Sequence, residues 1–158
     1  MEAWEKTGKR SWVLIGVVIL AVMMVGCGKK GPPVPKDAMV PRAVVNLQIK
    51  KLDGAIILSW REPKKDLRGE KLKNLAGYKI LKKVVKPGSN DCIDCPAGFS
   101  VAAVLDRDHP VNFKEEDGSI VWGDKDLQES GTYVYRIVPF NANGYDGTIS
   151  NYVSVKMP

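Results

Sequence analysis

The sequence predicts an all-β fold: a seven-stranded antiparallel sandwich behind an N-terminal apolar segment. Three observations carry that expectation. From Ala43 onward apolar and polar residues alternate with a period of two, the repeat of a strand with one face buried. Glycine, asparagine, aspartate or proline separates the alternating runs at short intervals, as turns between strands require. No stretch outside the apolar segment reads as a long helix, and many short strands without helices argue for two packed sheets.

The apolar segment comes first in the chain. Lys6, Lys9 and Arg10 precede Trp12–Val25, a run of 14 residues without a charge. A helix that crosses a bilayer needs roughly 20 apolar residues, so this run is short for a span and fits the hydrophobic region of a secretory signal. Gly26 supplies a small residue before Cys27. Met24-Val25-Gly26-Cys27 resembles a bacterial lipobox, whose usual form is Leu-(Ala/Ser/Val)-(Gly/Ala)-Cys, with Met24 in place of the leucine. That resemblance implies cleavage before Cys27 and acylation of Cys27 on its sulfur and its new amino group. Several acyl chains anchor durably where one anchors marginally. An uncleaved N-terminal anchor helix is the competing reading.

The segment after Cys27, GKKGPPVPKDAMVP, holds four prolines and three lysines and favours an extended, polyproline-like tether. Lys29 and Lys30 stand where anionic lipid attracts them by about 1 kcal/mol each. The string CGKKGP resembles the start of small lipoproteins that assist maturation of the lipopolysaccharide translocon in Gram-negative envelopes. Gly28, rather than Asp, after the cysteine implies an outer-membrane destination by the enterobacterial sorting rule. The expected organisation is a signal peptide over 1–26, a Pro/Lys-rich tether over 27–42 and a folded domain over 43–158.

Within the domain, VVNLQIKK and AIILSW read as strands joined at Asp53-Gly54, a hairpin signal. AGYKILKKV, FSVAAVL, SIVWG, TYVYRIVPFN and ISNYVSVKM complete the seven. Trp60 followed by Pro63, the Gly77-Tyr78-Lys79-Ile80 run, and Leu127 six residues before Tyr133 stand in this order. Tyr135, Ile137 and then Asn141-Ala142-Asn143-Gly144 follow. Together these residues resemble a fibronectin type III domain, an immunoglobulin-like sandwich, over most of Pro41–Met157. The resemblance implies that Trp60 is buried between the sheets, that Tyr78 and Tyr135 pack with it, and that Ile137 faces the core. It also implies that Tyr133 is the tyrosine-corner residue, its hydroxyl tied to the preceding loop. The aromatic residues then serve the core and not a ligand cleft.

At 158 residues and a formal charge of +6 the chain suits one ordinary domain. The charge is unevenly spread. Cys27–Asn90 holds 16 Lys and Arg against 5 Asp and Glu, and Asp91–Pro158 holds 5 against 11. That division argues against a uniformly basic nucleic-acid binder and leaves an anionic membrane surface, an acidic glycan or an acidic protein as partners of the basic half. Its densest part is the loop KKDLRGEKLKN, with Lys64, Lys65, Arg68, Lys71 and Lys73, which is the candidate contact for a partner.

Cys92 and Cys95 in DCIDCP form a CxxC pair. Pro96 stands where a c-type haem site needs histidine, and Asp91 and Asp94 oppose thiolate formation. A structural zinc needs four ligands, for which only Asp91, Asp94 and His109 are at hand. A disulfide closing a small loop, suited to an oxidising periplasm, is the expectation, with zinc, redox activity and free thiols as its rivals. His109 reads as a solvated loop residue, and Glu115-Glu116-Asp117 lacks the spacing of a calcium loop. The expectation is a non-enzymatic protein without cofactor or metal. It is anchored in the membrane by acylated Cys27, and its sandwich binds or positions an envelope protein or glycan from the outer membrane, on the periplasmic or exterior side. The alternatives are an assembly factor for the lipopolysaccharide translocon, and a thiol-redox or metal protein using Cys92 and Cys95.

Overall fold

The computed structural model of the chain describes residues 39–158 apart from 53, 112, 128 and 129. The signal peptide, Cys27, the tether up to residue 38 and Asp53 of the expected first turn lie outside the described residues. Eight strands form: β1 Gln48–Leu52, β2 Ala55–Trp60, β3 Leu75–Val85, β4 Ser100–Asp106, β5 Lys114–Glu116, β6 Ser119–Asp124, β7 Gly131–Asn141 and β8 Val153–Met157. They make two antiparallel four-stranded sheets, ordered β1-β2-β6-β5 and β4-β3-β7-β8. Among the described residues no helix is long and apolar enough to cross a membrane.

The eighth strand corrects the expected seven. Glu116 faces Ser119 across a two-residue turn in which Asp117 and Gly118 have φ of 49° and 70°. That pair of left-handed residues is what a type I′ hairpin requires. β5 carries no apolar alternation because all three of its residues are exposed, so periodicity is blind to it.

The core follows from the inward phase of the long strands. Ile56, Leu58 and Trp60 of β2 meet Tyr78 and Ile80 of β3 and Tyr133, Tyr135 and Ile137 of β7, all fully buried in one cluster. The rings of Trp60 and Tyr78 pack edge to face, with centroids 5.3 Å apart, the arrangement that their quadrupoles favour. Trp122 is buried too, while Phe140 stays half-buried. Register shifts in β3 between Leu75 and Gly77 and between Ile80 and Leu81 let its 11 residues keep pace with both neighbours. Every member of the core lies between Val44 and Met157. Contacts within the chain set Pro35–Pro158 apart as a unit of its own, which holds every core residue among the described residues.

Candidate partner-binding surface

Residues 39–42 are fastened at one end of the sandwich. The Met39 amide donates to Asp66 Oδ2 at 3.0 Å, and its carbonyl accepts from Asn141 Nδ2 at 3.2 Å. Met39 has a φ of 77°, a left-handed conformation that a branched or long side chain adopts at a cost. Those two bonds hold it there. The Leu67 amide donates to the Val40 carbonyl at 2.9 Å, and the Arg42 amide to the Lys65 carbonyl at 3.1 Å. Residues 39–42 are therefore stitched to the lysine-rich loop.

That loop is a small ordered turn. Lys65 and Lys71 pair across it, and the Asp66 amide donates to the Glu70 carbonyl at 2.9 Å. Asp66 is its keystone, only 4% exposed. Its carboxylate takes the Met39 and Glu70 amides, and its carbonyl takes Arg42 Nε at 2.8 Å. The Met39 amide is the main cause that holds the Asp66 carboxyl below the usual aspartate range. With Asp66 buried, Lys64, Lys65, Arg68, Lys71 and Lys73 are exposed around it, together with Glu70. Beside them lies a groove of about 830 Å³ whose walls include Arg42, Val45, Arg61, Pro63, Lys64 and Leu67. Val45 is 82% exposed and Leu67 44%. Glu62 also lines this groove and pairs with Arg107 at 3.0 Å.

The second sheet carries the cysteines. Cys92 and Cys95 are joined as a disulfide, with Cα atoms 5.4 Å apart. Their loop lies on the outer face of β3 and β7, held by two cations that the sequence did not single out. Lys83 Nζ donates to the Cys92 and Ala97 carbonyls at 2.7 and 2.9 Å, and Arg136 donates to the Asp94 carbonyl at 2.8 Å. Both also lie over the Phe99 ring. Gly98, at a φ of 86°, lets the loop close down on Lys83, whose Cε a Cβ there would meet at 3.3 Å. The ligand atoms of Cys92, Asp94 and Cys95 lie within 4.8 Å of one another, but two sulfurs bonded to each other offer no thiolate to a metal. No helix N-terminus adjoins them among the described residues.

His109 is exposed, with its Nδ1 3.2 Å from Asp106 Oδ2. Glu115, Glu116 and Asp117 are all exposed at the β5–β6 hairpin. At the far end of the sandwich the Tyr135 hydroxyl donates to Asp124 Oδ2 at 2.6 Å, and Lys82 Nζ reaches the same oxygen at 2.8 Å, linking the two sheets. Tyr133 is buried as expected for a corner residue, with Lys82 Nζ 5.3 Å above its ring. The loop that its hydroxyl would tie includes residues 128 and 129, outside the described residues.

No family model and no curated protein matches the chain. Solved structures do. The third fibronectin III domain of the human KIAA0343 protein is 14% identical, with a TM-score of 0.51 over 83% of this chain and 94% of that one. The pectate lyase PelI of Erwinia chrysanthemi, in complex with tetragalacturonic acid, is 16% identical, with a TM-score of 0.48 over 72% of this chain and 28% of that one. The pectate lyase Pel3 of Pectobacterium carotovorum is 17% identical, with a TM-score of 0.45 over 69% and 26%. The chain thus spans about a quarter of the length of these lyases. The fold is fibronectin-III-like; likeness at this level speaks to fold alone.

Proposed function

We propose that this protein is a lipid-anchored envelope lipoprotein, held in the outer membrane through acylated Cys27, whose sandwich binds or positions another envelope component without catalysing a reaction. The observation that carries the reading is the continuity of parts. A 14-residue uncharged run ends at Gly26-Cys27, and a proline- and lysine-rich tether follows at once. Met39, near the end of that tether, is bonded to Asp66 and Asn141. The folded unit presents several exposed surfaces. Two of those surfaces suit a partner: the lysine-rich end, and the free edge of β4, where Val101 and Val104 are 55% and 54% exposed and the strand has a neighbour on one side only. An open edge of that kind accepts an added strand.

Crosslinking from photoreactive groups placed at Val101 and at Lys71, in the native membrane, tests the binding role. Capture of one dominant envelope protein or glycan, lost when β4 or the 64–73 loop is altered, is expected. Capture of translocon proteins through residues 29–35 alone would replace this reading with the assembly-factor one. Loss of activity on replacing Cys92 and Cys95 with serine, with the fold intact, would replace it with thiol chemistry.

A further inference from the structure

We infer that the lysine-rich end of the sandwich is a docking face for an anionic phospholipid surface, seating the domain against the membrane that holds its tether. This rests on the lipid-anchored reading for the nearness of that membrane, whereas the face itself is a property of the folded unit. From Cys27 to Met39 is 12 residues of chain, a reach of about 40 Å at most when extended, which keeps the folded unit within that distance of the lipidated residue.

The chemistry of this end matches headgroups and not a protein core. Arg61, Lys64, Lys65, Lys71 and Lys73 make no side-chain ion pair or hydrogen bond among the described residues, although acids stand next to them in sequence. Asp66 is consumed by backbone amides and Glu62 by Arg107, which leaves Glu70 as the one exposed acid in the loop. Leu67 and Val45, exposed and apolar, line one groove with Arg42, Arg61, Lys64 and Lys65. Ammonium groups at phosphate depth around apolar side chains that enter the acyl boundary is the composition of an interfacial contact. The neighbouring strip fixes the tilt: across the Glu62–Arg107 pair, Glu115 and Glu116 line a second groove of about 450 Å³, with Asp106 and Asp108 exposed nearby. An anionic surface attracts the first half of this end and repels the second.

The test uses the unit Pro35–Pro158, which carries the whole core and lacks Cys27. It is mixed with vesicles of phosphatidylcholine alone or with added phosphatidylglycerol, and bound protein is read by sedimentation. Binding to the phosphatidylglycerol vesicles is expected, with little to phosphatidylcholine and release at about 1 M salt, where the screening length falls to about 3 Å. Replacing Lys64, Lys65, Lys71 and Lys73 with Gln should lower the affinity roughly a hundredfold or more, as the loss of four near-surface charges implies, at an unchanged melting temperature. Leu67→Ser should lower it several-fold. Equal binding to both vesicles, no binding to either, or a glutamine variant that binds like its parent overturns the inference, as does binding to soluble polyglutamate but not to vesicles. Because the unit has no acylation site, these outcomes are independent of whether Cys27 is acylated.

Discussion

Replacing Tyr135 with phenylalanine removes one oxygen from the sandwich and keeps the ring. The loss is large because of where the oxygen lies. Tyr135 is fully buried, its hydroxyl donates to Asp124 Oδ2 at 2.6 Å, and the Asp124 side chain is only 6% exposed. After the change Asp124 keeps Lys82 at 2.8 Å and the Asp126 amide at 2.9 Å, so it loses one of three donors. A hydrogen bond to a charged group contributes about 1.5–3 kcal/mol, and the space left by a hydroxyl is too small for a water to take its place. The expected cost is about 2 kcal/mol, or roughly 6–12 °C in Tm for a domain of this size. Urea unfolding of the Pro35–Pro158 unit, followed by circular dichroism, measures it, with the denaturant slope unchanged. In an Asp124→Asn background the same change should cost about 1 kcal/mol less, because the charge that made the bond strong is gone. A cost below about 0.5 kcal/mol, or one indifferent to Asp124→Asn, refutes the reasoning.

Three further predictions concern other parts of the sandwich. Burial pushes the Tyr78 and Tyr135 phenols well above the usual tyrosine range; their contribution is therefore complete below the unfolded value of about 10 and is lost as pH rises beyond it. Stability should fall above about pH 10, less steeply in Tyr135→Phe, and phenolate absorbance should show these two rings ionising only with unfolding. Asp66→Ala should free the 64–73 turn and the residues at 39–42 together, seen as new tryptic cleavage at Lys65 and Lys71 in an otherwise folded domain. In the parent the same release should come with acid, since a lowered carboxyl pKa stabilises above the unfolded value and ceases to as pH falls through the folded one. Replacing both Cys92 and Cys95 with serine should cost about 2 kcal/mol at most, because the closed loop is so short. It should speed hydrogen exchange at 89–98 while leaving β3 and β7 protected.

The strands that build the core were legible because burial on one face leaves a period of two. AIILSW and TYVYRIVPFN announce their inward residues, and Trp60, Tyr78, Tyr135 and Ile137 lie where the fibronectin resemblance put them. β5 was not legible by that means, since a fully exposed edge strand has no alternation. The Asp117-Gly118 pair was the available signal, of the same kind as Asp53-Gly54. The lysines of the 64–74 loop could be read as exposed cations, but Asp66 could not be read as the buried acid that folds them into a turn. Its role arises from Met39, 27 positions away. Lys83 and Arg136 look like outward polar residues of their strands. They become clamps only because the disulfide loop folds back over that face, a long-range contact that local pattern does not encode.

The most direct test of the lipid-anchored reading is the intact mass of the protein purified from its native membrane. A chain that begins at Cys27 and carries the added mass of a diacylglyceryl group on that residue and an acyl group on its amine is the predicted result. A mature chain that retains residues 1–26, or one with an unmodified Cys27, would contradict it.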